Sequence, residues 1–131
     1  MSYPEAMARE IDQQSELLQE LWDTEEEWTK PFVELCKTHN FKRLLFVGNG
    51  SPYYAGCALR FAAEHLLKVN AESVPAAIFN NHATFDASGS IDPSEMLLVC
   101  PAETGHSKGQ VDAARKARAL GIPVVCTTLN P

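Results

Sequence analysis

Apolar residues between Glu5 and Trp22 recur mostly at three- and four-residue intervals, at Met7, Ile11, Leu17, Leu18, Leu21 and Trp22. That spacing gives a helix one apolar face. Thr24 followed by Glu27 has the form of a capping box, and Trp28, Phe32, Leu35 and Cys36 continue helical spacing beyond it. Pro31 is comfortable only in a first turn, so the second helix is expected to begin near Thr29. The pattern then changes. Arg43-Leu44-Leu45-Phe46-Val47 is a short apolar run closed by Gly48, which suits a strand covered on both faces. Ser51 before Pro52 is the N-cap and N1 pair of a helix start, and Tyr54, Cys57, Ala58, Phe61, Ala62, His65 and Leu66 predict a buried stripe running to about Lys68. Val74 to Phe79 reads as a second strand and Met96 to Cys100 as a third, with a polar connection from Asn80 to Ser94 that has room for one helical turn. Ser107 caps a further helix that runs through Leu120 and ends at Gly121, and Pro123 to Thr128 forms a fourth strand.

Strands and helices in this order imply right-handed crossovers and a parallel sheet sandwiched by helices. The expected fold is therefore α/β: a three-layer αβα arrangement with a flavodoxin-like sheet over 41–131, preceded by a helical segment over 1–40. Ending immediately after strand four would leave a long apolar edge, and such edges invite pairing. The chain is accordingly expected to be part of something larger.

The 131 residues amount to one compact domain, and 45% apolar content is enough for a packed core. The formal charge of −6 is unevenly placed: ten acids against Arg9, Lys30 and Lys37 in the first forty residues, and near neutrality beyond. Clustered Lys and Arg are what nucleic acid requires, so no nucleic-acid partner is expected. Glu25, Glu26 and Glu27 read as a solvated face at a helix start. No apolar run approaches a membrane span, and nothing after Met1 resembles an export signal, so a cytoplasmic protein is expected. Cys36, Cys57, Cys100 and Cys126 are too far apart for a local metal-ligand pattern and read as reduced thiols.

In open α/β sheets ligands bind beyond the carboxyl ends of the strands. Gly48-Asn49-Gly50-Ser51 follows strand one and opens a helix, where glycines allow close backbone approach and the helix start favours an anion. Tyr53 occupies the third glycine position of a dinucleotide fingerprint and no GK[ST] is present, so no nucleotide cofactor is expected. The third loop also lacks the aromatics of a flavin sandwich. After strand three, Glu103, Thr104, Gly105, His106 and Ser107 supply hydroxyls, a glycine and a second helix start. Two helix N-termini converging at one edge make a site for a phosphate monoester.

Three stretches resemble the SIS (sugar isomerase) domain family. Met7 to Gln14 is similar to the M-x-K/R-E-I-x-x-Q opening of its isomerase modules, Gly48 to Gly56 resembles their G-x-G/T-S-x-x-A-G loop, and Thr104 to Ser107 falls where they have S-G-x-T. Within that family the chain resembles the isomerase half of glucosamine-6-phosphate synthase and its relatives, the tagatose-6-phosphate ketose/aldose isomerase-like and fructoselysine-6-phosphate deglycase-like proteins. The resemblance implies that Ser51, Thr104 and Ser107 hold a sugar phosphate and that two SIS domains pair; chains are expected to associate as homodimers or higher homo-oligomers through their SIS domains and the N-terminal helix. The resemblance also implies that the catalytic glutamate and ring-opening histidine lie in a second half, so no general base is assigned here. The implied activity is isomerisation or deglycation of an amino-sugar or ketose 6-phosphate; the alternative is a phosphosugar-sensing module without turnover.

Departures from the family pattern bear on specificity. Ala102, Glu103 and Gly109 replace a serine, a glutamine and a commonly acidic residue, and Asn80-Asn81-His82 replaces an S-E-F stretch. A carboxylate beside a phosphate weakens binding, so Glu103 must turn away, meet a cation or contact an amine on the ligand.

Overall fold

The computed structural model describes residues 3–82 and 90–128, which divide into two units, Met1–Thr38 and His39–Pro131. The first unit holds three helices, α1 (Tyr3–Asp12), α2 (Gln14–Asp23) and α3 (Glu25–Thr38), none of which buries a residue. The single helix expected from Glu5 to Trp22 is interrupted at Gln13. The interruption is slight, because Gln13 still donates to the Arg9 carbonyl and accepts from Leu17, both at 3.1 Å. The Thr24 capping box does not form. Thr24 instead donates its hydroxyl backward to the Glu20 carbonyl at 2.8 Å, serving the end of α2 rather than the start of α3. α3 begins at Glu25, not near Thr29, and takes Pro31 into its interior at the loss of one backbone donor. Glu25, Glu26 and Glu27 occupy its first turn, where the helix dipole favours them.

The second unit is a parallel sheet of order β2-β1-β3-β4, with β1 at Arg43–Gly48, β2 at Asn70–Pro75, β3 at Met96–Pro101 and β4 at Val124–Thr127. α4 (Ser51–Leu67), α5 (Ala76–His82), a 3-10 turn (Pro93–Glu95) and α6 (Lys108–Ala119) connect them. Central β1 and β3 read as continuous apolar runs because both their faces are covered. Leu45, Val47, Met96, Leu98 and Cys100 pack with Ala76 and Phe79 of α5, Ala113 and Ala117 of α6, and Ile122. By strand alternation Leu44, Phe46, Leu97 and Val99 face the opposite side, where Gly56 of α4 lies against Phe46. The layers are α4, sheet, then α5 with α6.

Two expectations are corrected here. The second strand runs over 70–75, and the segment read as its second half is α5. Ala76 and Phe79, three residues apart and fully buried, supply the core from one helical face, whereas edge strand β2 (Asn-Ala-Glu-Ser-Val-Pro) is half polar and buries only Ala71. Its Glu72 pairs with Arg43 at 2.6 Å across the edge. On α4, the apolar stripe expected to be buried mostly points outward: Tyr54, Phe61 and Leu66 are 70%, 60% and 73% exposed, while Gly56 and Ala63 form the buried face. Small residues let the helix lie close to the sheet.

The end of α6 follows the sequence closely. Gly121, at φ 82°, donates to the Arg118 carbonyl, and Ile122 donates to the Ala117 carbonyl, both at 3.0 Å. These are the two bonds of a Schellman motif, sealed by burial of Ile122 and Ala117.

Candidate phosphate-binding site

β1 and β3 are parallel neighbours with Phe46 opposite Val99, so the loops that follow them leave the same edge side by side. Gly48 closes β1 where the first turn of α4 arrives. A Cβ there would stand 2.7 Å from the Pro52 Cβ and 2.8 Å from the Tyr53 nitrogen. Gly50 adopts φ 59° and ψ −130°, a conformation open to glycine and costly for other residues. It is the N-cap of α4, so Ser51 is the first helical residue and Pro52 the second, and the helix starts one residue earlier than the expected Ser51 cap. Asn49, Gly50 and Ser51 are exposed at this helix start.

The second loop is anchored at its root. Gln110, buried in α6, donates its amide to the Pro101 carbonyl, and the Ala102 N–H donates to the Thr127 carbonyl at 2.8 Å. Beyond this root Glu103, Thr104, His106 and Ser107 are exposed around Gly105, which has φ 69°. The His106 N–H donates to the Thr104 hydroxyl at 3.3 Å, a local turn that shapes the loop. Ser107 is the N-cap of α6 as expected, yet its hydroxyl makes no capping bond. Of the first-turn N–H groups, that of Gln110 donates to the Ser107 carbonyl at 3.0 Å, which leaves those of Lys108 and Gly109 for an external acceptor.

Asn49 ties the two loops together. Its Oδ1 accepts from the Ala76 N–H at 3.2 Å, and the first turn of α6 lies against its amide, so that a Cβ on Gly109 would be 3.0 Å from Asn49 Nδ2. Asn80 of α5 donates to the Gly109 carbonyl at 2.9 Å, and its own Oδ1 is buried with no partner among the described residues. Sequence reasoning missed Asn80, Gln110 and the reason for Gly109. Gln110 carried a signal, being a polar residue on the apolar face of α6. Asn80 carried none while its segment was read as a connection.

Both α4 and α6 direct their N-terminal ends to this edge, and each contributes partial positive charge. Lys108 adds an ammonium, paired with Asp112 one turn along. Glu103 is exposed and forms no ion pair among the described residues, so the loop carries one uncompensated carboxylate. An open concavity along α2, lined by Glu16, Glu20 and Asp23, has the wrong charge for a phosphate and lies in the other unit. Among the described residues no group of His, Cys, Asp and Glu is arranged to hold a metal ion, and no helix is long and apolar enough to cross a membrane.

No protein-family model and no curated protein matches this chain. Solved structures do. A Clostridium difficile 630 protein assigned as a phosphosugar isomerase superposes with a TM-score of 0.68 at 17% identity, over 84% of this chain and 29% of that one. The tagatose-6-phosphate ketose/aldose isomerase of Escherichia coli gives 0.59 at 18% identity, over 85% and 29%. The C-terminal domain of glucosamine-fructose-6-phosphate aminotransferase from Francisella tularensis gives 0.60 at 21% identity, over 75% and 26%. The fold is of the SIS type. The chain spans less than a third of the length of each of these structures.

Proposed function

We propose that this chain is a phosphosugar-binding SIS module and the N-terminal part of an isomerase or deglycase acting on an amino-sugar or ketose 6-phosphate. The observation that carries the reading is the convergence of two glycine-containing loops, 48–51 and 103–107, at one sheet edge, each opening a helix whose N-cap makes no side-chain capping bond. Gly48, Asn49 and Gly50 bring backbone close to the ligand, and Ser51, Thr104 and Ser107 donate hydroxyls to the phosphate. Gly105 lets the second loop turn, with His106 beside it. Glu103 meets an amine on the ligand. The similar folds of a phosphosugar isomerase and of the tagatose-6-phosphate isomerase support this ligand class.

In such chemistry a base moves a proton between adjacent carbons of the open-chain sugar while fixed donors hold the phosphate, so positioning supplies much of the rate. This chain supplies the positioning, and the base comes from outside it. We place the protein in the cytoplasm as a homo-oligomer, with the outward stripe of Tyr54, Phe61 and Leu66 on α4 as contact surface.

Ligand-induced thermal stabilisation tests the assignment. Glucose 6-phosphate, fructose 6-phosphate and glucosamine 6-phosphate are compared with the unphosphorylated sugars on the parent, Ser51→Ala and Ser107→Ala. A phosphosugar at a hundredfold over its Kd stabilises by about 2.7 kcal/mol, a Tm rise of several degrees. The expected result is a rise with phosphosugars alone that both variants lose. Equal stabilisation by neutral sugars, or variants that respond like the parent, would remove the phosphate assignment.

A further inference from the structure

Two of the departures from the SIS pattern meet in space. Asn80, in the stretch that replaces S-E-F, donates its amide at 2.9 Å to the carbonyl of Gly109, which replaces a commonly acidic residue. Gly109 lies in the first turn of α6 and carries one of the two N–H groups left there for an external acceptor. A side chain on it would crowd two further groups, since a Cβ would stand 3.0 Å from Asn49 Nδ2 and 3.4 Å from the Ala76 Cβ. Asn49 in turn accepts from the Ala76 N–H at 3.2 Å. Loop 48–51, the start of α5 and the start of α6 therefore come together at one point, and glycine leaves the room for it.

α5 is fixed to α6 at two places. Asn80 Nδ2 holds Gly109, and two turns further along α6 Lys116 Nζ donates to the Phe79 and Asn80 carbonyls, each at 2.9 Å. Between these ties Phe79 packs in the core with Ala113 and Ala117. Two ties and a shared core make α5 and α6 one body, and Asn49 pins the first loop to it. None of these bonds involves edge strand β4.

Polar satisfaction does not require the bond from Asn80. Gly109, inside α6, already offers its carbonyl to the helix ladder, while Asn80 Oδ1 is buried without a partner among the described residues. An orphaned acceptor costs stability, so an apolar side chain of similar size would serve the packing better. What Asn80 contributes is position.

We infer that α5 is a strut holding the two phosphate loops at one fixed separation, with Asn49, Asn80 and Gly109 as its positioning residues. Loops ordered before the ligand arrives bind it without a further ordering cost. The consequence for affinity rests on the phosphosugar reading above; the mechanics of the strut belong to the unliganded chain.

The test compares the parent with Asn49→Ala, Asn80→Leu, their double variant and Gly109→Ala. In the unliganded chain, Asn80→Leu should speed amide exchange at Ala76, at the far end of α5, and Asn49→Ala should speed it at Gln110 and Val111, with Leu98 of β3 protected as in the parent. In calorimetric titrations with fructose 6-phosphate and glucosamine 6-phosphate, each single variant should weaken binding about five- to tenfold, the worth of one hydrogen bond. The double variant should lose no more than the weaker single, because cutting either tether already frees the loops. Gly109→Ala favours the helix, so an unchanged or raised Tm together with weaker binding is expected, a combination that a purely structural role does not produce. Exchange changes confined to each variant's own bond partner, or losses in affinity that add in the double variant, overturn the strut. A parent that binds neither phosphosugar removes the phosphosugar reading, and the exchange pattern then decides the strut by itself. Asn80→Ser takes the place of Asn80→Leu should the latter fail to fold.

Discussion

Gly56 shows how tightly one residue can constrain this fold. A Cβ at that position would sit 2.6 Å from the Ser73 hydroxyl oxygen and 2.7 Å from the Phe46 Cβ. Ser73 is not free to turn away without loss, because its hydroxyl donates to the Tyr53 carbonyl at 2.9 Å. Alanine in a helix interior is intrinsically better than glycine by about 1 kcal/mol, so the two effects oppose each other. Overpacking at a fixed neighbour such as a strand Cβ costs about 1–3 kcal/mol and wins. Gly56→Ala should therefore lower the urea midpoint with an unchanged slope; a midpoint at or above that of the parent would show that α4 stands further from the sheet. The residues that the sequence made legible, Gly48 to Ser51 and Glu103 to Ser107, are those whose signal is local, a glycine or hydroxyl between a strand and a helix. Asn80, bonded to a residue twenty-nine positions away, is legible only in three dimensions.

At the scale of elements, the central strands and α6 were legible because apolar periodicity, caps and stop signals agree there. β2 and α5 were not. The run Val74 to Phe79 is apolar enough for a strand and too short for its period to separate strand from helix. What decides it is the edge position of β2, which needs fewer apolar residues, and the need for Ala76 and Phe79 to reach the core together. α5 has only seven residues, and a helix of that length depends on what holds its ends. Lys116 of α6 donates to the carbonyls of Phe79 and Asn80, each at 2.9 Å, and lies over the Phe79 ring at 5.6 Å. An ammonium on carbonyls near a helix C-terminus is favoured by both hydrogen bonding and the dipole. Lys116→Met keeps the aliphatic stem and removes the charge. It should cost about 1.5–3 kcal/mol, and the α5 amides should lose hydrogen-exchange protection before those of β1 and β3. Uniform loss across the sheet would show that Lys116 supports the core rather than α5.

For the whole molecule, the distribution of burial decides which part carries the folding free energy. Every buried apolar residue among those described lies between Leu44 and Ile122. The larger cluster joins β1, β3, α5 and α6, so that none of these can leave without opening the others. Helices α1 to α3 bury nothing and span ten to fourteen residues each, lengths at which a helix is marginal in water without packing. Cooperative unfolding requires shared burial, which the unit 39–131 has within itself. A polypeptide of residues 39–131 should give one sigmoidal urea transition, coincident by far-ultraviolet circular dichroism and by the fluorescence of Tyr53 and Tyr54, the tyrosines left in it. The complementary peptide 1–38 should show weak helicity that rises gradually with trifluoroethanol and melts without a midpoint. A broad, probe-dependent transition for 39–131 would mean that the sheet depends on contacts beyond its own core. In that case the loops at its carboxyl edge, held by Asn49 and Gln110, would share the dependence.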